Sequence, residues 1–197
     1  FCCGMTGLAA RCDLWLVYAV NERNAEGNPF NTAVITGSDG VKRGVYRKVH
    51  LFDTDFTKES DRMAAGSALF EPIDTPFGRI GLSICYDLRF PEVARFAATR
   101  GCQLLINPAA WVDGRLKAEQ WRTLLSARAI ENEIFVAGLS RVDKGYIGQS
   151  AVFGPDGVML ASGSVREELV AARIDLSAID GVRAAMPVLE HRRQELY

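Results

Sequence analysis

Among the reactive side chains of this 197-residue chain, Cys85 stands in the setting that best suits attack on a carbonyl carbon. The run Arg79-Ile-Gly-Leu-Ser-Ile84 is short, apolar and β-prone, and predicts a buried strand. Cys85 sits where that strand stops. Phe90-Pro91-Glu92 then opens a helix, because proline suits the first helical turn and glutamate suits its positive end. Groups at the carboxyl ends of strands in open α/β sheets are where sites gather. A thiol there can act as a nucleophile, its pKa lowered by a nearby cation and a helix N-terminus. The bland alternative is a packed structural cysteine, since free cysteine is among the most buried residue types. The local pattern leaves both readings open.

The elements that would position Cys85 follow in order. The end of a helix is expected over residues 6–12, then strands over 13–20, 30–36 and 41–47. Ser38-Asp39-Gly40 joins the last two with hairpin chemistry. Residues 21–29 and 51–66 read as loops. Strands at 68–74 and 78–84 flank the Pro76-Phe77-Gly78 turn. A helix over 91–100 closes at Gly101 and leads to a strand at 103–107, a βαβ unit that favours parallel pairing. Residues 117–132 form a long amphipathic helix with Trp121, Leu124, Leu125 and Ile130 among its apolar positions. Strands at 134–139, 149–153, 158–161 and 169–174 and a short helix at 176–184 complete the pattern, with Pro155-Asp156-Gly157 as a second hairpin turn. Alternating elements of this kind imply an α/β fold of two sheets with outer helices, in a single domain spanning 1–197.

Composition narrows the function. Hydrophobic residues make up 48% and charged residues 24%, an ordinary globular mixture. The net charge is -1 with no basic run, which argues against a nucleic-acid partner or a polybasic membrane surface. No apolar stretch is long enough to cross a bilayer. Cys2, Cys3, Cys12, Cys85 and Cys102 are odd in number and irregularly placed, so they do not read as a disulfide framework. No Cys/His spacing matches a zinc site, so no metal or cofactor is expected. A reduced, cytoplasmic setting is the expectation.

Cys85-Tyr-Asp-Leu-Arg-Phe-Pro-Glu92 resembles the nucleophile motif of the nitrilase superfamily, the carbon–nitrogen hydrolases, and in particular the Nit branch that includes the ω-amidases. Tyr46-Arg-Lys-Val-His-Leu-Phe-Asp53, Asn107-Pro-Ala-Ala-Trp111, Ala127-Arg-Ala-Ile-Glu-Asn132 and a tail from Pro187 to Tyr197 agree in order and spacing. The resemblance implies a four-layer αββα sandwich and a homodimer or higher homo-oligomer. It implies Cys85 as nucleophile and Lys48 as the cation that steadies the tetrahedral oxyanion, with the Tyr86 N–H as a second donor. Glu59 matches a glutamate kept near that lysine, to orient it or move protons. Asp87 and Arg89 are expected to brace the nucleophile turn through an ion pair or backbone bonds. Trp111 is expected either to line the substrate pocket or simply to pack. Arg128 and Glu131, at i and i+3, resemble structural residues.

The activity implied is cofactor-free hydrolysis of a small linear amide through a thioester, the amide bearing a carboxylate for Arg89 or another, unassigned arginine to hold. Compared with the family, the chain begins partway through the domain. The family's general-base glutamate, which lies well before the lysine, has no counterpart here; Glu22 and Glu26 are the earlier glutamates and Glu22 falls in an ordinary loop of the pattern. This favours a second expectation, an impaired or non-catalytic interaction protein on the same scaffold. A rival chemistry pairs Cys85 with His50 as a papain-like thiol–imidazole couple, but no papain signature surrounds Cys85.

Overall fold

The computed structural model describes residues 1–196; Tyr197, the end of the tail compared above, lies outside them. Helix α1 (Cys2–Cys12) leads into strands β1 (Leu16–Glu22), β2 (Phe30–Thr36) and β3 (Lys42–Arg47). These three form an antiparallel sheet in that order, with Tyr18 opposite Val34 and Ala33 opposite Tyr46. A short ribbon follows, β4 (Asp53–Thr54) and β5 (Thr57–Lys58), and ends in a 3-10 turn over Glu59–Asp61. Then come β6 (Ile73–Thr75), β7 (Gly78–Leu82), α2 (Pro91–Ala98), β8 (Leu104–Ala109), α3 (Lys117–Asn132), β9 (Phe135–Ser140), β10 (Ala151–Phe153), β11 (Met159–Ser162) and α4 (Ser177–Ala185).

The second sheet has six strands in the order β11-β10-β9-β8-β7-β6. Its centre, β7-β8-β9, is parallel, because helices α2 and α3 carry the chain back between successive strands. Its flanks are hairpins and therefore antiparallel. Ala33, Ile35, Tyr46, Phe70, Ile80, Leu82 and Ile84 fill the space between the two sheets. Leu105, Trp121, Leu125, Ala129, Ile134 and Val136 fill the space between the larger sheet and its helices. With α1 against β2 on the far side, the layers run helix, sheet, sheet, helix, as expected. Cys85 packs against both cores, where the two apolar layers meet.

The long helix α3 holds the expected bounds, but its buried stripe differs from the sequence reading. Trp121 and Leu125 are fully buried, whereas Ile130 is half exposed. The register is tight enough that a Cβ at Gly138 of β9 would lie 2.5 Å from the Trp121 ring and 2.6 Å from Leu125. No side chain fits there without moving α3.

Several expected boundaries move. The strand expected from 68 begins only at Ile73, so Phe70 enters the core from irregular backbone. The loop expected over 51–66 contains the β4–β5 ribbon. Residues 169–174 read as a strand but carry none: no chain pairs beside them among the described residues, and Leu169 is 94% exposed. Strand propensity reflects packing on a pleated surface, and without a neighbour it yields no ladder. All five cysteines are free, and Cys102 is buried, its thiol pushed up to about 12 by that burial. Among the described residues no helix is long and apolar enough to cross a membrane.

Because α3 is seated on the sheet mainly by Trp121 and Leu125, Leu125→Ala should cost about 2–5 kcal/mol, the usual toll of truncating a fully buried leucine. Urea unfolding followed by tryptophan fluorescence checks this; a change below 1 kcal/mol would mean α3 is held elsewhere.

Candidate active site

Strand β7 ends at Leu82, and the chain runs on, with Ile84 still extended, into a 3-10 turn, Cys85–Arg89. Cys85 opens that turn with φ 48°, in the left-handed region. A non-glycine residue held there is strained by roughly 1–3 kcal/mol and persists only where its surroundings over-determine it. The surroundings are visible. The Cys85 N–H donates to Asn107 Oδ1 at 2.8 Å, and Asn107 Nδ2 donates to Ser83 Oγ at 2.9 Å. Asp87, fully buried, accepts from the Ile84 N–H at 2.9 Å and from the Tyr46 hydroxyl at 2.8 Å on one oxygen. Its other oxygen accepts the His50 N–H at 3.2 Å and faces His50 Nδ1 at 2.8 Å. Burial, then the charge of Asp87, push the Tyr46 phenol far up, so it stays a neutral donor.

Lys48 follows β3 and is only 2% exposed. Its N–H donates to the Asn31 carbonyl at 2.9 Å and its carbonyl accepts the Gly66 N–H at 2.7 Å. A Cβ at Gly66 would come within 2.2 Å of the Arg47 carbonyl, so this close approach requires glycine. The Lys48 ammonium forms an ion pair with Glu59. Glu59 Oε2 also accepts the Phe52 N–H at 2.7 Å, so the ribbon that ends in Glu59 fixes the carboxylate over the lysine.

These charges act on the Cys85 sulfur. Burial raises its pKa and is the largest effect; Lys48 pulls it down, while Glu59 and Asp87 push it up. The expectation of a thiol acidified by a cation and a helix end therefore holds only for the cation. Desolvation wins, and the pKa of the Cys85 thiol lies above the ordinary cysteine value.

The thiol opens on a small pocket lined by Phe52, Cys85, Tyr86, Arg89, Trp111 and Lys117 among others. Trp111 is both pocket wall and packing. It is 4% exposed, its ring centroid lies 5.0 Å from that of Trp121, and its Nε1–H donates to the Lys117 carbonyl at 3.1 Å. The Tyr86 ring lines the same pocket, and no acceptor among the described residues takes its N–H.

The family model for carbon–nitrogen hydrolase matches residues 1–184. The chain belongs to the carbon–nitrogen hydrolase family. It is 40% identical over 203 residues to the nitrilase and fragile histidine triad fusion protein NitFhit of Caenorhabditis elegans, covering 96% of this chain and 46% of that protein. The NitFhit crystal structure superposes with a TM-score of 0.93, covering 100% of this chain and 51% of that one. Thus this carbon–nitrogen hydrolase chain spans about half the length of that relative. Human omega-amidase NIT2 is 36% identical over 203 residues, covering 98% of this chain and 73% of the relative. An amidase mutant from Nesterenkonia sp. AN1, 26% identical, superposes with a TM-score of 0.85, covering 99% of this chain and 70% of that one; its crystal structure shows covalent addition of the acetamide moiety of fluoroacetamide at the active site cysteine.

In this carbon–nitrogen hydrolase the structure groups Cys85, Tyr86, Arg89 and Trp111 around one pocket, with Lys48 and Glu59 in electrostatic reach of the sulfur. Asp87 accepts from the backbone at the start of the Cys85 turn. Arg89 does not pair with it. Its guanidinium donates to Gln120 at 2.7 Å and lies 5.0 Å over the Trp111 ring, because its side chain leaves the turn on the pocket side. His50 is committed to Asp87 and stacked on Phe90 at 3.7 Å, which removes the evidence for a thiol–imidazole pair with Cys85. Arg128 and Glu131 do pair, at 2.7 Å. Glu22 is held by Arg47 at 2.7 Å and by Thr32 at 2.8 Å. Sequence reading missed two site residues, Asn107 as anchor of the Cys85 backbone and Lys117 as a pocket cation. Asn107 lay within a quoted motif, at the end of a predicted strand beside the nucleophile strand. Nothing in its one-dimensional setting marked Lys117 beyond its place at the start of α3.

Since Lys48 depresses the thiol pKa and Glu59 raises it, Lys48→Met should move the pKa of Cys85 further up. Iodoacetamide alkylation of Cys85, followed by mass spectrometry across pH 6–10, should rise at a higher pH in the variant than in the parent. An unchanged profile would mean that the lysine charge does not reach the sulfur.

Proposed function

We propose that this carbon–nitrogen hydrolase is a thiol amidase of the ω-amidase type, acting on a small linear amide that carries a carboxylate. The observation that supports it best is the strained Cys85 turn, opening on a small pocket while the Lys48 charge acts on its sulfur. The similarity to human omega-amidase NIT2 supports the substrate class.

The Cys85 sulfur gives up its proton and forms an S–C bond to the amide carbon. Negative charge gathers on the former carbonyl oxygen, and the Lys48 ammonium and the Tyr86 N–H steady it. Collapse breaks the C–N bond, and the nitrogen takes up the proton and leaves as ammonia. Water then attacks the thioester, the C–S bond breaks, the acid departs and the proton returns to sulfur. Glu59 keeps Lys48 oriented and carries the proton between sulfur and nitrogen. Burial raises the thiol pKa and so disfavours a standing thiolate, which makes the Lys48 charge and a proton acceptor part of the attack.

Cys85→Ala should abolish ammonia release from succinamate and glutaramate in a coupled glutamate dehydrogenase assay. Glu59→Gln should lower kcat by about 10²–10⁴-fold, the usual worth of a proton-transfer group. Intact mass during turnover should show an acyl adduct on the parent protein and none on Cys85→Ala. Ammonia release that survives Cys85→Ala, or no release and no adduct from the folded protein, would overturn the reading; the latter result would favour a non-catalytic scaffold.

A further inference from the structure

The Cys85 pocket carries two cations, Arg89 and Lys117, and its lining includes no aspartate or glutamate. Arg89 is already engaged, by Gln120 and by the face of Trp111. Lys117 has only a ring contact, its ammonium 5.4 Å from the Phe52 ring centroid, and among the described residues no carboxylate or carbonyl accepts from it. Three local influences oppose its charge. It is the first residue of α3, at the end of a helix that disfavours a cation. It is partly desolvated, and it shares the pocket with the guanidinium of Arg89. The face of Phe52 and the Cys85 sulfur, when ionised, favour the ammonium.

Its position is nevertheless enforced. Its N–H donates to the Gly114 carbonyl at 3.1 Å, and its carbonyl accepts the Trp111 indole N–H at 3.1 Å. The residue before it, Leu116, takes a left-handed φ of 59° to turn the chain into the helix. A lysine fixed in a small apolar-walled pocket, against its own electrostatics and without an acid to answer it, is arranged for a negatively charged ligand group.

The geometry points to Lys117 as the specificity-determining residue of this pocket: its ammonium receives the carboxylate of the substrate while the amide end lies at Cys85. Arg89 sets the direction from the other side, its guanidinium oriented by the bond to Gln120 and by the face of Trp111, while no hydrogen-bond acceptor among the described residues takes the three ammonium donors of Lys117. Selection follows from asymmetry. A carboxylate gains a charge-assisted bond, whereas a neutral amide of the same length leaves the ammonium desolvated and unanswered.

The inference deepens the amidase reading and rests on it for the placing of the amide, so its test measures binding apart from turnover. In a Cys85→Ala background, calorimetric titration should find glutaramate, with one carboxylate, bound about 10- to 100-fold tighter than the neutral diamide glutaramide, the span expected for a hydrogen bond to a charged group. Adding Lys117→Met should erase most of that preference, chiefly by weakening glutaramate. Adding Lys117→Arg should restore much of it, which excludes general damage to the pocket. A preference that survives Lys117→Met, or no binding of glutaramate at all, overturns the inference. If the preference follows residue 117 while the unmodified thiol releases no ammonia, the amidase reading falls and the anion site stands; if ammonia is released and the preference ignores residue 117, only the role of Lys117 falls.

Discussion

The buried carboxylate of Asp87 is the constraint on which the site depends. Its two oxygens take donors from the Ile84 backbone, from Tyr46 at the end of β3 and from His50 beyond it. It thereby ties the smaller sheet to the turn that carries Cys85 in the larger one. A carboxylate fully out of water is tolerable only when its lone pairs are answered, and here donors reach both oxygens. The same bonds hold Cys85 in a backbone region that a cysteine would not choose. The strain, the inter-sheet link and the direction of the sulfur share one cause. The Tyr46 phenol makes the link insensitive to ordinary pH, because burial beside the anion keeps it protonated.

The layered fold explains why this happens at one place. Parallel strands β7 and β8 both end toward the same rim, so the residues just past each, Cys85 on one and Trp111 on the other, meet above the sheet. The β3 end supplies Lys48 from the opposing sheet, and the ribbon after it returns Glu59 to the lysine. Cys85 touches the apolar core on both sides of its sheet. That contact desolvates the thiol, so the feature that anchors Cys85 also raises its pKa.

Much of this was legible in the sequence, for reasons that differ by residue. The strand–turn–helix around Cys85 is local, and Pro91 and Glu92 mark the helix start without reference to anything distant. The bounds of α3 and of β2 are equally local and were recovered as expected. The partners of Asp87 were not legible, because contacts to His50 and Tyr46 across 37 and 41 positions leave no periodic trace. Asp87 and Arg89 stand two apart and were expected to brace the turn through an ion pair or backbone bonds; on a 3-10 turn they diverge, one into the core and the other into the pocket. Residues 169–174 failed in the opposite sense. Their pattern is strand-like, but a strand is a property of two chains lying side by side, and sequence reports only one of them.

The charges around the sulfur fall into two systems with opposite design. The inner one, Lys48 with Glu59 and Asp87 with Tyr46 and His50, is buried and answered from within the protein. A buried ion pair mainly offsets its own desolvation, so its contribution is geometric: it fixes where a cation stands relative to the thiol. The outer one, Arg89 with Lys117, lines the cavity and has no carboxylate to answer it among the described residues. An unanswered charge keeps its field for whatever enters, and in a small pocket with apolar walls that field is stronger than in water. The inner system therefore sets the charge around the sulfur, and the outer one sets the charge met by whatever enters the pocket. The two share Cys85, whose proton affinity responds to Lys48 from below and whose charge is felt by Lys117 from above.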